Sequence, residues 1–236
     1  LASAAPDPNF RHRGGAERPT VTRTLHLMRA FLRWLPDALV ARLRELSWVR
    51  GNARLTYLRL WISRSAGVRR DRLPGNLPLA PSILFVCHGN IIRSPMAEAL
   101  FRRAAAEKQP SPSARSAGTR AVAGRAADPR AVTEAAGFGV DLASHRAQPL
   151  SQDLVGHADI IAVMDLLNEA EVLAGFPEAR NKVVLLGAFD GSTTLSGAII
   201  PDPYMEDTAQ VRQCYVRLVD STRRFFTAVV CAEGGR

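Results

Sequence analysis

The sequence of 236 residues is poor in cysteine and nearly without lysine. Three cysteines cannot build a disulfide framework, and their scarcity suits a reducing compartment. Lys108 and Lys182 are the only lysines, so the arginines of the first 80 residues argue through their charge, not through guanidinium chemistry. No uncharged apolar stretch approaches the ~18 residues that a spanning helix needs. Residues 1–20 also lack the apolar centre of a secretory signal. The five histidines show no ligand spacing with cysteine, so no metal is suggested, and no cofactor is expected. What is present is a chain 47% hydrophobic, enough to fill a core and to exclude wholesale disorder. A soluble, cytoplasmic protein is the expectation.

The net charge of +9 is confined to one end. Residues 1–80 hold 15 arginines against five acids, whereas residues 81–236 hold 16 basic and 17 acidic residues. Trp34, Trp48 and Trp61, all the tryptophans, also lie in the first part. The chain therefore reads as a basic extension over 1–80 and a main domain over 81–236, with the Pro/Gly-rich segment 71–82 as linker.

Within the main domain, residues 82–86 form a short apolar run bounded by Pro81 and Gly89, as a buried strand would. Ser94 and Pro95 then open a run of strong helix formers, Ser94 placed as N-cap and Pro95 as the first helical residue. Apolar runs at 158–164 and 182–187 alternate with helical stretches near 129–136 and 166–174, and a long amphipathic segment over 207–230 closes the chain. This alternation predicts an α/β fold: a doubly wound, four-stranded parallel sheet with helices on both faces, preceded by an α-helical N-terminal extension. Ligands in such folds bind at the carboxyl ends of the strands, where residues 87–93 should sit.

Cys87-His88-Gly89-Asn90-Ile91-Ile92-Arg93-Ser94 is a cysteine, five residues and then Arg-Ser, set between a strand and a helix. A loop curling into a helix start aims backbone N–H groups at one spot, and the helix dipole favours negative charge there. The same field stabilises a thiolate. Arg93 can return to the loop mouth and grip two phosphate oxygens with its planar fork. The Ser94 hydroxyl can donate to the sulfur. Gly89 and Asn90 are residue types that tolerate left-handed backbone. His88 follows the nucleophile, either lining the pocket mouth or standing as a solvated rim residue.

The run ILFVCHGNIIRSPMAEAL closely resembles the signature of the low-molecular-weight protein tyrosine phosphatases, and the likeness extends from about Ser82 to the C-terminal helix. Ser116-Ala117-Gly118-Thr119 resembles the family's second-strand ending, Asp141 to Arg146 its D-x-x-x-H-R segment, Met164-Asp165 the end of its third strand, and Ile200 to Tyr204 its late Asp-Pro-aromatic loop. The resemblance implies hydrolysis of phosphotyrosine through a phosphocysteine intermediate. In it Cys87 is the nucleophile, Arg93 the phosphate clamp and Asp202 the general acid and base. Repulsion from a thiolate and a phosphate dianion favours the protonated form that such an acid needs. His88, Gly89, Asn90, Ile91, Ile92 and Ser94 would surround the phosphate, Tyr204 would wall a phenyl ring, and His145 would brace the loop through Asn90. Asp165 reads as a helix N-cap. No metal takes part.

The sequence departs from many relatives in two places. Ile92 stands where they carry a second cysteine before the loop arginine, and Cys214 and Cys231, seventeen residues apart on one predicted helix, lie about 25 Å from each other. Both read as core residues, and peroxide inactivation should be only partly reversed by thiols. The stretch after Thr119 lacks a large aromatic beside the pocket, as in bacterial members paired with tyrosine kinases. The expected partner is thus a phosphotyrosine protein, such a kinase included.

In the extension, Leu25, Met28, Leu32 and Leu35 form one helical stripe, Leu39, Leu43 and Leu46 a second, and Leu55, Leu58 and Ile62 a third, with Pro36 between the first two. Three readings stand: a helical hairpin packed on the domain or on another chain, a peripheral membrane contact through 22–64 at the inner membrane surface, or an organelle-targeting segment, which an Arg-rich, acid-poor start suits. No nucleic acid is expected, because the basic residues belong to no recognised motif. For the whole protein, an arsenate reductase of the same fold and a non-catalytic phosphotyrosine-binding adaptor remain as alternatives. The first needs a cysteine relay and the second leaves Asp202 without a purpose.

Overall fold

A computed structural model of the chain describes Val49 and residues 51–65, 72–192 and 194–233. The first two leucine stripes of the extension, with Pro36, Trp34 and Trp48, lie outside the described residues. The strands are β1 (Ser82–Cys87), β2 (Ser113–Gly118), β3 (Ile160–Val163) and β4 (Val183–Leu185), all parallel, in the order β2-β1-β3-β4. Between and after them run α2 (Arg93–Ala105), α3 (Pro129–Ala136), α4 (Gln152–His157), α5 (Leu166–Gly175), the short α6 (Leu195–Ala198) and the terminal α7 (Thr208–Glu233). A further helix, α1 (Arg54–Ser65), precedes the sheet.

Strand side chains alternate between faces, and β1 shows the consequence. Ile83, Phe85 and Cys87 enter one apolar cluster with α2, α3 and α7, whereas Leu84 and Val86 enter another with α1, α4 and α5. The sheet is thus covered on both faces, and β1 reads as an unbroken apolar run for that reason. The first cluster centres on Phe85, Phe101 and Phe225, whose ring centroids stand 5.6–6.0 Å apart. Burying each such ring stabilises the fold by about 1.5–3 kcal/mol.

Three local expectations need correction. The strand expected over 182–187 ends at Leu185, and Leu186–Asp190 turns as a 3-10 helix that closes on left-handed Gly191. Ser94 does not cap α2: the helix already includes Arg93, the capping position is Ile92, and no side chain caps it. A tertiary partner, the sulfur of Cys87, has taken the Ser94 oxygen. Of the two later cysteines on α7, Cys214 is buried but Cys231 is exposed.

α1 packs against α5, but not with the face that leucine spacing picks out. Tyr57 and Leu60 are buried, whereas Leu55 and Ile62 are 65% and 61% exposed. Arg64 completes the buried face because Glu169 of α5 accepts its hydrogen bond at 2.9 Å. The division at residue 80 is one of composition, and the compact unit Leu46–Arg236 runs across it.

Candidate active site

β1 delivers Cys87 to the carboxyl edge of the sheet, beside its register partner Gly118. The chain then turns back through His88–Ile92 into the uncapped start of α2. Asn90 makes the turn with a left-handed φ of 53°. Few residues other than glycine accept that conformation, and Asn is foremost among them. Its side chain is fully buried and every polar atom is used. Nδ2 donates to Ser94 Oγ at 2.8 Å and to Ser116 Oγ at 2.9 Å, while Oδ1 accepts from Gln148 N at 2.8 Å. The Asn90 carbonyl meets His145 Nε2 at 2.8 Å. Gly118 makes room for the turn, since a Cβ there would lie 2.7 Å from the His88 carbonyl and 2.9 Å from Asn90 N.

Two donors converge on the sulfur. Asn90 N donates to Cys87 Sγ at 3.2 Å, and Ser94 Oγ lies 3.0 Å from it. Because Ser94 Oγ already accepts from Asn90, its own hydrogen is left for the sulfur or for the Ala117 carbonyl at 3.3 Å. A thiolate draws it to sulfur.

Arg93 is 1% exposed and held from three sides. Its Nη1 donates to Asp165 Oδ2 at 2.6 Å and to the Ile200 carbonyl at 3.0 Å, and its Nη2 donates to Asp202 Oδ2. Burial opposes its charge, but Asp202, Asp165 and Cys87 outweigh that, so its pKa is raised and the guanidinium stays charged. Asp165 caps α5 as expected, its Oδ1 accepting from Asn168 N at 2.8 Å. The same carboxylate also anchors Arg93, a role the sequence reading missed.

Asp202 follows β4 and α6 in an exposed loop, where its Oδ1 accepts from Tyr204 N at 3.2 Å. A cavity of about 230 Å³ opens between this loop and the turn after β1. Cys87, His88, Gly89, Ile91, Ile92, Arg93, Asp202 and Tyr204 line it, together with Arg120 and Arg125. Asn90 and Ser94 stay behind the wall as braces. Arg120 is matched by Glu171 at 2.6 Å, while Arg125 Cζ stands 5.8 Å from the Tyr204 ring centroid, a cation–π distance. His88 sits at the mouth, half-buried, with Nδ1 4.0 Å from Glu171. Neither rim arginine belongs to a local motif, so spacing gave no signal for them. A larger polar groove of about 650 Å³ runs along β2 beside His145 and Ser116, and none of Cys87, Arg93 and Asp202 lines it.

Cys214 lies behind the Asp202 loop, its Sγ 3.9 Å from the Pro201 carbonyl, and burial pushes its thiol up to about 12. It is therefore a protonated core group. Among the described residues no set of three His, Cys, Asp or Glu could hold a metal ion, and no helix is long and apolar enough to cross a membrane.

Comparison with known proteins places this arrangement. The family model described as low molecular weight phosphotyrosine protein phosphatase matches residues 82–233. The probable low molecular weight protein-tyrosine-phosphatase EpsP of Ralstonia nicotianae is 42% identical over 123 residues, covering 52% of this chain and 78% of that protein. The tyrosine phosphatase Wzb of Escherichia coli K30, solved in complex with sulphate, superposes with a TM-score of 0.57 at 32% identity, over 64% of this chain and 99% of that one. The YwlE arginine phosphatase from Geobacillus stearothermophilus does so with a TM-score of 0.56 at 28% identity, over 63% and 92%.

Proposed function

The chain belongs to the low molecular weight phosphotyrosine protein phosphatase family, and on that premise we propose that it hydrolyses phosphotyrosine in proteins through a phosphocysteine intermediate. The observation that carries this reading is the convergence of the Cys87 sulfur, Arg93 and Asp202 on one cavity walled by Ile91, Ile92 and Tyr204. The cavity lies below the ~300–1,000 Å³ of sites for drug-sized ligands, so it suits one phosphoryl group on one side chain.

Asp202 shares Arg93 with Asp165. A phosphate dianion entering over Cys87 replaces Asp202 on Arg93 and meets the open helix start. Asp165 keeps its hold and aims the guanidinium. The Cys87 thiolate then attacks phosphorus, the S–P bond forms as the P–O bond to the tyrosyl oxygen breaks, and Asp202, having bound a proton from solvent on leaving Arg93, gives that proton to the tyrosyl oxygen. In the second half Asp202 takes a proton from water as the water attacks phosphorus and the S–P bond breaks. Inorganic phosphate leaves and the thiolate returns, stabilised by Ser94 Oγ and Asn90 N.

The likeness to an arginine phosphatase raises phosphoarginine as a second substrate. The rim disfavours it: a guanidinium leaving group would meet Arg120 and Arg125, with Ile91 and Ile92 as apolar walls. A phenyl ring gains from the same surroundings. The same rim favours acidic residues beside the phosphotyrosine, and exposed Val122 and Met205 offer apolar contact to a folded substrate such as a tyrosine kinase. Leu55 and Ile62, flanked by exposed Arg54 and Arg59, support peripheral contact with an anionic inner membrane surface. Flotation with and without phosphatidylserine tests that contact, and absence of binding sinks it.

Phosphate release from phosphotyrosine, phosphoserine and phosphoarginine substrates, with EDTA throughout, tests the main reading. Turnover of phosphotyrosine alone that disappears in Cys87→Ser upholds it. Preference for phosphoarginine overturns it, and so does a folded native chain without turnover.

A further inference from the structure

Asp202 carries the proposed proton transfer, yet its loop is exposed, and one contact that holds it is made with Arg93, which substrate must claim. A second tie reaches the loop from α3 and is untouched by phosphate. Arg130 Nη2 donates to the Tyr204 carbonyl at 3.0 Å, and its Nη1 donates to the Glu206 carbonyl. These two carbonyls bracket the turn after Asp202, in which Glu206 N donates to the Pro203 carbonyl at 3.1 Å. The guanidinium is itself fixed by Asp128, which accepts from Arg130 Nε at 2.9 Å and from Nη2 at 2.8 Å. Asp128 is fixed in turn. Its side chain caps α3 by accepting from Arg130 N at 3.0 Å, and its backbone N–H donates to the Ile91 carbonyl at 3.0 Å. Ile91 belongs to the loop around the phosphate.

We propose that the Asp128–Arg130 pair is a positioning device that sets the Asp202 loop at a fixed height over the phosphate loop, through the Ile91 carbonyl on one side and the Tyr204 and Glu206 carbonyls on the other. Neither side chain lines the cavity, so neither is a catalytic residue. A planar guanidinium suits the task, since it can bind a carboxylate with one edge and two carbonyls with its remaining donors. When phosphate takes Arg93, the Asp202 carboxyl is released to bind a proton and turn toward the leaving oxygen, while the turn that follows it stays tied to Arg130.

This inference rests on the phosphatase reading and predicts a selective defect. General acid help matters more as the leaving group becomes more basic. The test measures kcat/KM for aryl phosphates from 2,4-dinitrophenyl to phenyl phosphate with the native chain, Asp202→Ala, Arg130→Ala, Arg130→Lys and the double variant Arg130→Ala/Asp202→Ala. Arg130→Ala should lose about tenfold or more on phenyl phosphate but about twofold or less on the dinitrophenyl ester. The double variant should fall no further than Asp202→Ala alone. Inhibition by inorganic phosphate should stay unchanged, showing the phosphate loop intact. Arg130→Lys, which keeps the charge and one donor group, should lie between native and Arg130→Ala, and it carries the test if the alanine variant does not fold. An equal loss across the series, or losses that multiply in the double variant, overturns the positioning role. If the native chain hydrolyses none of the esters, the phosphatase reading itself fails first.

Discussion

The two halves of the site are held by different means. The nucleophile's half is part of the interior: Asn90, Arg93 and Ser94 are each at most 1% exposed, and side chains from β2, α2 and the segment after α3 brace the turn. The acid's half lies at the surface, with Tyr204 44% and Met205 83% exposed, and it is tied down by arginines acting on carboxylates and backbone carbonyls. The difference suits the two tasks. A thiolate needs fixed dipoles that cost no reorganisation, whereas a carboxyl group that gives a proton in one step and, as carboxylate, takes one in the next must move between Arg93 and the reacting oxygens. Damage to the first half should therefore remove the reaction, and damage to the second should tune it.

The sharpest separation is between Cys87→Ser and Asp202→Ala. Cys87→Ser should lower kcat on the order of 10⁴-fold or more for every ester. Asp202→Ala should cost about 10²–10⁴-fold with phosphotyrosine and far less with a dinitrophenyl ester. Steady-state rates on both esters decide it. Equal losses for Asp202→Ala on the two would erase the distinction between the halves.

A control lies outside both. Arg64 and Glu169 join α1 to α5 with side chains 4% and 2% exposed. Arg64→Ala removes the 2.9 Å charged hydrogen bond to buried Glu169 and should lower stability in urea by about 1.5–3 kcal/mol, while the protein that remains folded keeps its kcat. A large fall in kcat at full folding would mean that the surface extension reaches the chemistry.

Gly118→Ala tests how stiff the first half is. The added Cβ would meet two backbone atoms of the turn under 3.0 Å, and neither can yield as a flexible side chain could. We expect a loss of about 1–3 kcal/mol in stability, with weaker inhibition by inorganic phosphate, because the turn must shift around its anion. Unchanged phosphate affinity would show the turn to be more pliant than its hydrogen bonds imply.

These two halves were also unequally legible in the sequence. The nucleophile's half is nearly contiguous, so Cys87 through Ser94 could be read as one device, strand, turn and helix start together. Even there, local preference misled at Ser94, which looks like an N-cap until the sulfur is folded onto it. Asp202 needed the family resemblance, because an Asp before Pro is ordinarily a turn residue. Its supports were beyond reach: Arg93 meets Asp165 and Ile200 across 72 and 107 residues, pairings that spacing cannot encode. The parallel sheet and its two-faced burial were legible because apolar runs and helical segments alternate, but its strand order was not, and β2, the polar run SARSAG, was reached only through the family resemblance. The buried face of α1 was not, because leucine spacing alone cannot show that Arg64 finds Glu169.

The smallest expected effect concerns the tie between the halves. Hydrogen bonds from the Arg130 side chain, foremost among the causes, hold the Asp128 carboxyl below its ordinary value. A carboxylate whose pKa is lower folded than unfolded adds stability that is complete above the unfolded value, about 3.9, and is lost as pH falls through the folded one. Asp128→Asn should therefore be less stable than the native chain by a constant amount from neutral pH down to about pH 5, of order 1 kcal/mol or less for a pair this near the surface. The gap should narrow below about pH 4 and vanish in stronger acid. Urea titrations at pH 7, 5, 4 and 3 would show it. A gap that persists at pH 3 would mean that asparagine fails as a cap or a packing group, and Asp128 would then serve α3 without its charge gripping Arg130. A gap that closes with acid, beside a leaving-group defect in the same variant, would mean that one ion pair links the rigid half of the site to the adjustable one.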